Sequence, residues 1–377
     1  MNGGTRIERV RVRGFRSLAD VELGDLPRAA VLIGANGTGK SNFIRFFELL
    51  SWMLKARRLD EFVQKQGGAD DQLHGGNRTT RRMEAEVSIR TDVGMNDYRF
   101  ALSHAQPDRL FFVEERFRFS VGDHPDDFPW QHLKTGGEEA EIVRAAQAGV
   151  YPGVQVEKAR AIVHLLRDCS VYQFHDTSDE SNFKKRWDVD DNSYVRSHGG
   201  NLASVLLRLE REDVDRYELI CEQIGRILPG FDRFELEESF GRLPLRWKAK
   251  GTDKTFGAHL TSDGSLRFFA LVTLLNLPAE MLPKVLFLDE PELGLHPAAI
   301  TLVGGMIRSL CEERQIVVAT QSPLLVDVFD LEEIFVLELR EGRTVVRKLS
   351  SDQYQVWLDD NFTPGELWQK NLLGGRP

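Results

Sequence analysis

Cysteine is scarce in this 377-residue chain: three residues, Cys169, Cys221 and Cys311, lie far apart and form no CxxC pair. They exclude a disulfide framework and read as reduced, buried thiols of a cytoplasmic protein. No apolar run approaches the roughly 18 residues that a membrane span requires. The opening MNGGTRIERVRVRG lacks the apolar stretch of a signal peptide. No internal repeat, low-complexity tract or heptad run is present. Positive charge is not in excess either, since the formal net charge is -9. The chain as a whole therefore offers no electrostatic attraction to nucleic acid. Three local basic clusters remain: Arg78, Arg81 and Arg82; Lys184, Lys185 and Arg186; Lys248, Lys250 and Lys254. Charge runs of this kind are more often solvated faces than groove linings. His74, His164 and His198 show no metal-ligand spacing.

The composition that is present is globular, with 41% hydrophobic and 28% charged residues. Residues 6–12 (RIERVRV) alternate polar and apolar as a half-buried strand does, and 19–23 continue a sheet. Residues 29–33 (AAVLI) form a run suited to a strand buried on both faces. A Gly-rich loop follows, then a segment with Phe43, Phe46, Phe47, Leu50 and Met53 at helical spacing. After a polar loop (66–80), the runs 83–90, 98–105 and 110–120 suggest an antiparallel meander. Loop character (GDHPDDFPW, 122–130) and a short helix follow. A helix over 157–168, a strand VYQFH and one long helix over 201–228 are expected next. From 263 onward helices alternate with the strands KVLFLDE, QIVVAT and EIFVLEL, and RTVVRKL adds a hairpin arm. The fold class expected is α/β.

Three motifs carry chemistry. Gly34, Ala35, Asn36, Gly37, Thr38, Gly39, Lys40 and Ser41 fit G-x-x-x-x-G-K-[ST], the P-loop or Walker A pattern. Its glycines let backbone N–H groups turn inward around phosphate oxygens, and the following helix points its positive end at the same anion. Lys40 is expected to reach the β- and γ-phosphates of ATP, and Ser41 to ligate Mg²⁺. Asn42 follows within the same binding segment. The apolar run 285–288 ends in Asp289 and Glu290. A buried strand would deliver both acids to its carboxyl end, where ligands bind in open α/β sheets. Asp289 is expected in the Mg²⁺ shell and Glu290 to orient or deprotonate the attacking water. Thr261, Ser262, Asp263, Gly264 and Ser265 open a helix before the acidic pair. Taken alone they read first as an N-cap, and second as a phosphate site at a helix N-terminus.

These three elements in this order resemble the ATP-binding-cassette (ABC) superfamily, in its soluble RecF/SMC branch. VRGFRSLADVEL followed by GANGTGKSN is similar to the start of those proteins, and FLDEPELGLHP to their Walker B and D-loop. The likeness is nearest to stand-alone, OLD-related ATPases of the RecF type. It covers residues 6–57 and 255–340 well and the middle third poorly. The resemblance implies that Ser262, Gly264 and Ser265 stand where the signature motif S-G-G-Q would, contacting the γ-phosphate held by a second subunit. The implied active form is an ATP-dependent homodimer. Residues 294–297 would be the D-loop, although His296 also reads as a turn residue before a helix-starting proline. Where the family has a switch histidine stands Gln321, which hydrogen-bonds but cannot carry a proton. For the Q-loop glutamine both Gln72 and Gln173 remain open. The polar string Gln173, His175, Asp176, Thr177 is either a site lining or a polar strand end.

The organisation expected is an ABC-type P-loop NTPase core built from both chain ends (1–119 with an antiparallel β subdomain, and 231–377) around a mixed, largely helical insertion (120–230). The segment between the motifs is far longer than in transporter cassettes and holds no coiled coil, so transporter subunits and long SMC-like arms are not expected. The residues after EIFVLEL are too few for the Toprim nuclease domain of OLD-type nucleases. Two functions compete: an ATP-driven clamp on DNA, in repair or phage defence, and a regulatory ATPase gating a separate effector protein. Replacing Lys40 with alanine is expected to abolish nucleotide binding. Calorimetry with MgATP checks this, and wild-type affinity in the variant would overturn the P-loop assignment.

Overall fold

In a computed structural model of the chain, residues 4–55, 59–121, 128–150, 153 and 155–375 are described. The chain opens with an antiparallel pair, β1 (Arg6–Phe15) and β2 (Leu18–Leu23), then enters β3 (Ala29–Ile33) and helix α1 (Lys40–Lys55). Helix α2 (Leu59–Lys65) precedes a meander of β4 (Arg82–Thr91), β5 (Gly94–Ala105), β6 (Arg109–Ser120) and the short β7 (Gln131–His132). With β1 and β2 these strands form a six-stranded antiparallel sheet, ordered β2-β1-β4-β5-β6-β7. The GDHPDDFPW loop lies largely outside the described residues. Helices α3 (Ile142–Ala145) and α4 (Val156–Arg167) lead to β8 (Cys169–Tyr172), and β9 (Trp187–Asp188) follows.

The long helix expected over 201–228 is two helices, α5 (Leu202–Glu212) and α6 (Val214–Ile227). Asp213 breaks the run: its backbone leaves the helical region and its carboxylate accepts the Arg216 N–H at 3.3 Å, capping α6. The apolar periodicity continues across the break, which is why the sequence reads as one helix. Strands β10 (Phe231–Phe234), β11 (Arg242–Leu243), β12 (Arg246–Ala249) and β13 (Thr255–Gly257) come next. Then follow α7 (Asp263–Leu275), β14 (Val285–Asp289), α8 (Pro297–Leu310), β15 (Gln315–Thr320) and α9 (Pro323–Val326). The hairpin β16 (Ile334–Arg340) and β17 (Arg343–Lys348) precedes α10 (Gln355–Asp359) and α11 (Pro364–Gln369). Among the described residues no helix is long and apolar enough to cross a membrane.

The second six-stranded sheet runs β17-β16-β3-β15-β14-β8, and all its pairings except β16–β17 are parallel. Strand β8, drawn from the segment read as an insertion, is therefore an edge strand of this sheet. Every residue of β3, β14 and β15 is buried. Alternation along each strand divides these side chains between two cores. Val31, Ile33, Leu286, Leu288, Ile316 and Val318 pack with the α5–α8 side. Ala30, Leu32, Val285, Phe287, Val317 and Ala319 pack with α1, α4 and the antiparallel sheet. Both faces being apolar, polar chemistry is confined to the strand ends.

One buried acid ties the antiparallel sheet to α3. Glu115 on β6 accepts the Tyr98 hydroxyl at 2.9 Å and the N–H groups of Glu141 and Ile142 at 2.8 and 3.0 Å. Burial pushes its carboxyl up to about 7 against these hydrogen bonds, which lower it. An unfolded glutamate releases its proton near 4.5. Between those values the folded chain binds the extra proton, so stability is fullest below 4.5 and falls as pH rises toward 7. Glu115→Gln is expected to remove this slope, worth about 3 kcal/mol across the window. Denaturant unfolding of both proteins from pH 4.5 to 8 checks it; parallel pH profiles would count against it.

Candidate functional site

Four neighbouring parallel strands end at one place. The Walker A loop leaves β3, Gln321 follows β15, Asp289 closes β14 and Gln173 follows β8. Lys40 is buried and folds back on its own loop, donating to the carbonyls of Gly34 at 2.6 Å and Ala35 at 3.0 Å. Burial lowers its proton affinity, opposed by the charges of Glu290, Asp289 and Glu292. The loop is held from outside as well. Thr344 on β17 donates to the Thr38 carbonyl at 2.8 Å, and Asn42 donates to Ser17 at 2.8 Å. Gly39, with φ of 107°, sits where a β-carbon would run into Thr344 and Ser17.

Asp289 is the junction. Ser41 Oγ donates to its Oδ1 at 3.3 Å and Gln173 Nε2 to its Oδ2 at 2.6 Å. His175 Nε2 donates to its backbone carbonyl at 3.1 Å. Burial raises the carboxyl above the usual range, while the Ser41 hydroxyl and Gln173 amide pull it back. Glu290 adopts a left-handed backbone, φ 47°, uncommon for a residue with a side chain and concentrated at functional sites. Its carboxylate accepts the side-chain amide of Gln321. The structure thus brings together Lys40, Ser41, Asp289, Glu290 and Gln321. Of the two Q-loop candidates, Gln173 touches the site. Gln72 is buried elsewhere, accepting from Arg16 and donating to the carbonyls of Gln66 and Gly68.

A model of the family described as "AAA domain, putative AbiEii toxin, Type IV TA system" matches residues 29–327. The chain belongs to this family. Over 163 residues it is also 34% identical to the DNA replication and repair protein RecF of Anaeromyxobacter dehalogenans (strain 2CP-C) and 33% identical to that of strain 2CP-1 / ATCC BAA-258. Each match spans 42% of this chain and 42% of the relative, less than half of either. Two solved SMC heads share the fold. One, bound to the C-winged helix domain of ScpA, superposes with a TM-score of 0.60 at 16% identity, over 92% of this chain and 99% of that one. The other, with an extended coiled coil and bound to the C-terminal domain of ScpA derived from Pyrococcus furiosus, gives 0.58 at 14%, over 95% and 99%. The chain, an AAA-domain protein, thus has the P-loop head fold of those SMC structures and a partial likeness to RecF.

In this AAA-domain chain no hydrogen bond among the described residues joins Ser262 or Ser265 to the Walker A loop. Ser262 caps α7, accepting the Ser265 N–H at 3.2 Å, and the two hydroxyls lie 2.8 Å apart. Gly264 lies so close to Gly294 that a β-carbon on it would collide with the Gly294 carbonyl. Signature and D-loop positions are therefore packed together. His296 does cap α8, accepting the Ala298 N–H at 3.2 Å.

Two further residues carry the site and were not singled out from the sequence. Arg267 on α7 donates to the carbonyls of Phe174, His175 and Leu293 at 3.0, 2.9 and 3.2 Å, tying the strand ends to the D-loop. Glu292 accepts the Thr320 hydroxyl and the Gln321 N–H, both at 2.7 Å, while its other oxygen is buried without a partner. Burial raises its carboxyl above the ordinary range against these two bonds. Glu292 fixes the backbone from which Gln321 reaches Glu290. Its only advance signal is its place in the acidic string EPE. Glu292→Ala is expected to lower ATP turnover at least about tenfold with KM little changed, since a hydrogen bond to a charged group is worth about 1.5–3 kcal/mol. Glu292→Gln, which keeps the acceptor, is expected to restore most of it. Steady-state kinetics checks both; equal loss in the two variants would show that the charge itself is needed.

Proposed function

We propose that this chain is an ATPase that closes as a homodimer around two ATP molecules and works as a DNA-linked clamp or switch. The observation that carries this reading is the meeting of Lys40, Ser41, Asp289, Glu290 and Gln321 at the ends of adjacent buried strands. The donor set fits Mg²⁺: a hydroxyl and a buried carboxylate, both oxygen ligands. Ser41 and Asp289 would hold the ion, which when bound neutralises phosphate charge. Loop amides from residue 36 onward cradle the phosphates, and Lys40, anchored on the Gly34 carbonyl, turns a remaining N–H to the phosphate oxygens. Glu290 orients the attacking water and takes its proton as the oxygen bonds to the γ-phosphorus and the bond to ADP breaks. Gln321, with no proton to relay, holds the Glu290 carboxylate in place.

The dimer draws support from the signature residues. Ser262 and Asp263 are exposed, and no hydrogen bond among the described residues joins Ser262 or Ser265 to the loop of their own chain. Leu260 and Leu293 expose apolar side chains beside them, at 70% and 40%. Kinship with the DNA replication and repair protein RecF supports a DNA-linked role, and the toxin–antitoxin family description supports phage defence.

One observation favours the second reading, gating of a partner effector without nucleic-acid contact. Half-buried arginines of the antiparallel sheet are matched by acids: Arg9 with Glu86, Arg13 with Asp20, Arg99 with Glu84 and Glu114. Each basic cluster of the sequence also has a paired member, in Arg82–Glu84, Lys184–Asp179 and Lys248–Glu235.

Glu290→Gln is expected to stall hydrolysis by about a hundredfold or more and to trap a dimer in MgATP, read by light scattering. A variant that stays monomeric at saturating MgATP would sink the sandwich. Turnover of the wild type with duplex DNA at low and moderate salt separates the two readings: the clamp reading requires stimulation that fades with salt.

A further inference from the structure

We propose that residues 373–375 form a strap that sets the shape of the Walker A loop, so that ATP affinity depends on a segment outside the family match. This deepens the ATPase reading above and rests on it.

After α11 the chain turns back across β16. Leu373 is fully buried, and its carbonyl accepts Arg347 Nη2 from β17 at 2.6 Å. The Gly375 N–H donates to Glu338 Oε1 on β16 at 3.2 Å. The Gly375 carbonyl then accepts the backbone N–H of Ala35 at 2.6 Å. That N–H shares one planar peptide unit with the Gly34 carbonyl, and the two point in opposite directions. The Gly34 carbonyl is the group to which Lys40 donates at 2.6 Å. A single peptide plane thus links the strap on its outer side to the phosphate-binding lysine on its inner side. Fixing the N–H outward keeps the carbonyl inward.

The seat is cut for glycine. Gly375 has φ of 75°, and a β-carbon on it would lie 2.7 Å from Val336 Cγ1 and 3.4 Å from the Gly34 Cα. On the other side, Gly34 presses against β16, where a β-carbon would strike the Leu337 carbonyl. The loop entrance is therefore clamped between β16 and the strap. The family match ends at residue 327, short of the strap.

Gly375→Val and, separately, Glu338→Ala test the strap. Hydrogen–deuterium exchange of the segment 34–41 in nucleotide-free protein is expected to speed up in both. The MgATP dissociation constant, by calorimetry, is expected to rise about three- to tenfold, the worth of one backbone hydrogen bond. Glu338→Ala removes the anchor without touching the glycine seat, so it decides the matter should Gly375→Val fold poorly. Unchanged exchange and affinity would overturn the proposal. So would tighter binding or faster turnover, which would make the strap a brake. Wild-type protein that bound no MgATP would sink the ATPase reading, while the exchange experiment would still report on the strap.

Discussion

A single carboxylate, that of Asp289, joins three separate parts of the chain. It sits at the end of a strand whose two faces are apolar, where an acid is costly unless its oxygens are satisfied. One oxygen is met by Ser41 at the start of α1 and the other by Gln173 after β8. The residues that meet it are 116 and 248 positions away in the sequence. Burial raises the proton affinity of the group, and the Ser41 hydroxyl and Gln173 amide pull it back. In the reading proposed above, a divalent ion held by Ser41 and Asp289 would offset that cost of burial.

The rest of the site follows from that anchor and from the two cores. Because side chains of the parallel strands are spent on packing above and below, only residues past the strand ends are free to act. Glu290 is turned out of line by its left-handed backbone at the first such position, with its N–H donated to the Ala319 carbonyl at 2.8 Å. Strain of this kind costs on the order of 1–3 kcal/mol and persists only where the surroundings over-determine it. Here Gln321 holds the side chain and Glu292 holds Gln321. The three acids divide the work by environment: Asp289 faces Ser41, Glu290 faces Gln321, and Glu292 faces backbone and hydroxyl donors alone.

What the sequence disclosed is what is written locally. The Walker A loop, the apolar strand ending in Asp289 and Glu290, and Gln321 after the next strand each lie within a few residues, with a periodicity that states the element carrying them. The antiparallel meander was legible for the same reason. The break at Asp213 was not, because the apolar pattern runs through it and only the capping carboxylate stops the helix. Gln173 and Gln72 were indistinguishable, since what separates them is whether β8 pairs with β14, a contact between residues more than a hundred positions apart. Glu292 and the segment at 373–375 show themselves only through contacts with other elements. A glycine pair near the chain's end carries no local mark of the loop it leans on.

The charge pattern bears on what the proposed ATPase chemistry would be coupled to. Attraction to a phosphate backbone requires positive charge that is not already spent. On β1, β4, β5 and β6 arginines and acids alternate across strands, and the close cross-strand pairs neutralise the sheet's outer face. A single copy therefore presents balanced charge on this sheet. Any strong, sequence-independent grip on DNA must then arise from a surface that one copy lacks, assembled when two heads close or supplied by a partner. Under the clamp reading proposed above, the decisive event would be closure, which would set Ser262, Gly264 and Ser265 of one copy against the loop of another. A strap that shapes that loop would then shape the coupling as well.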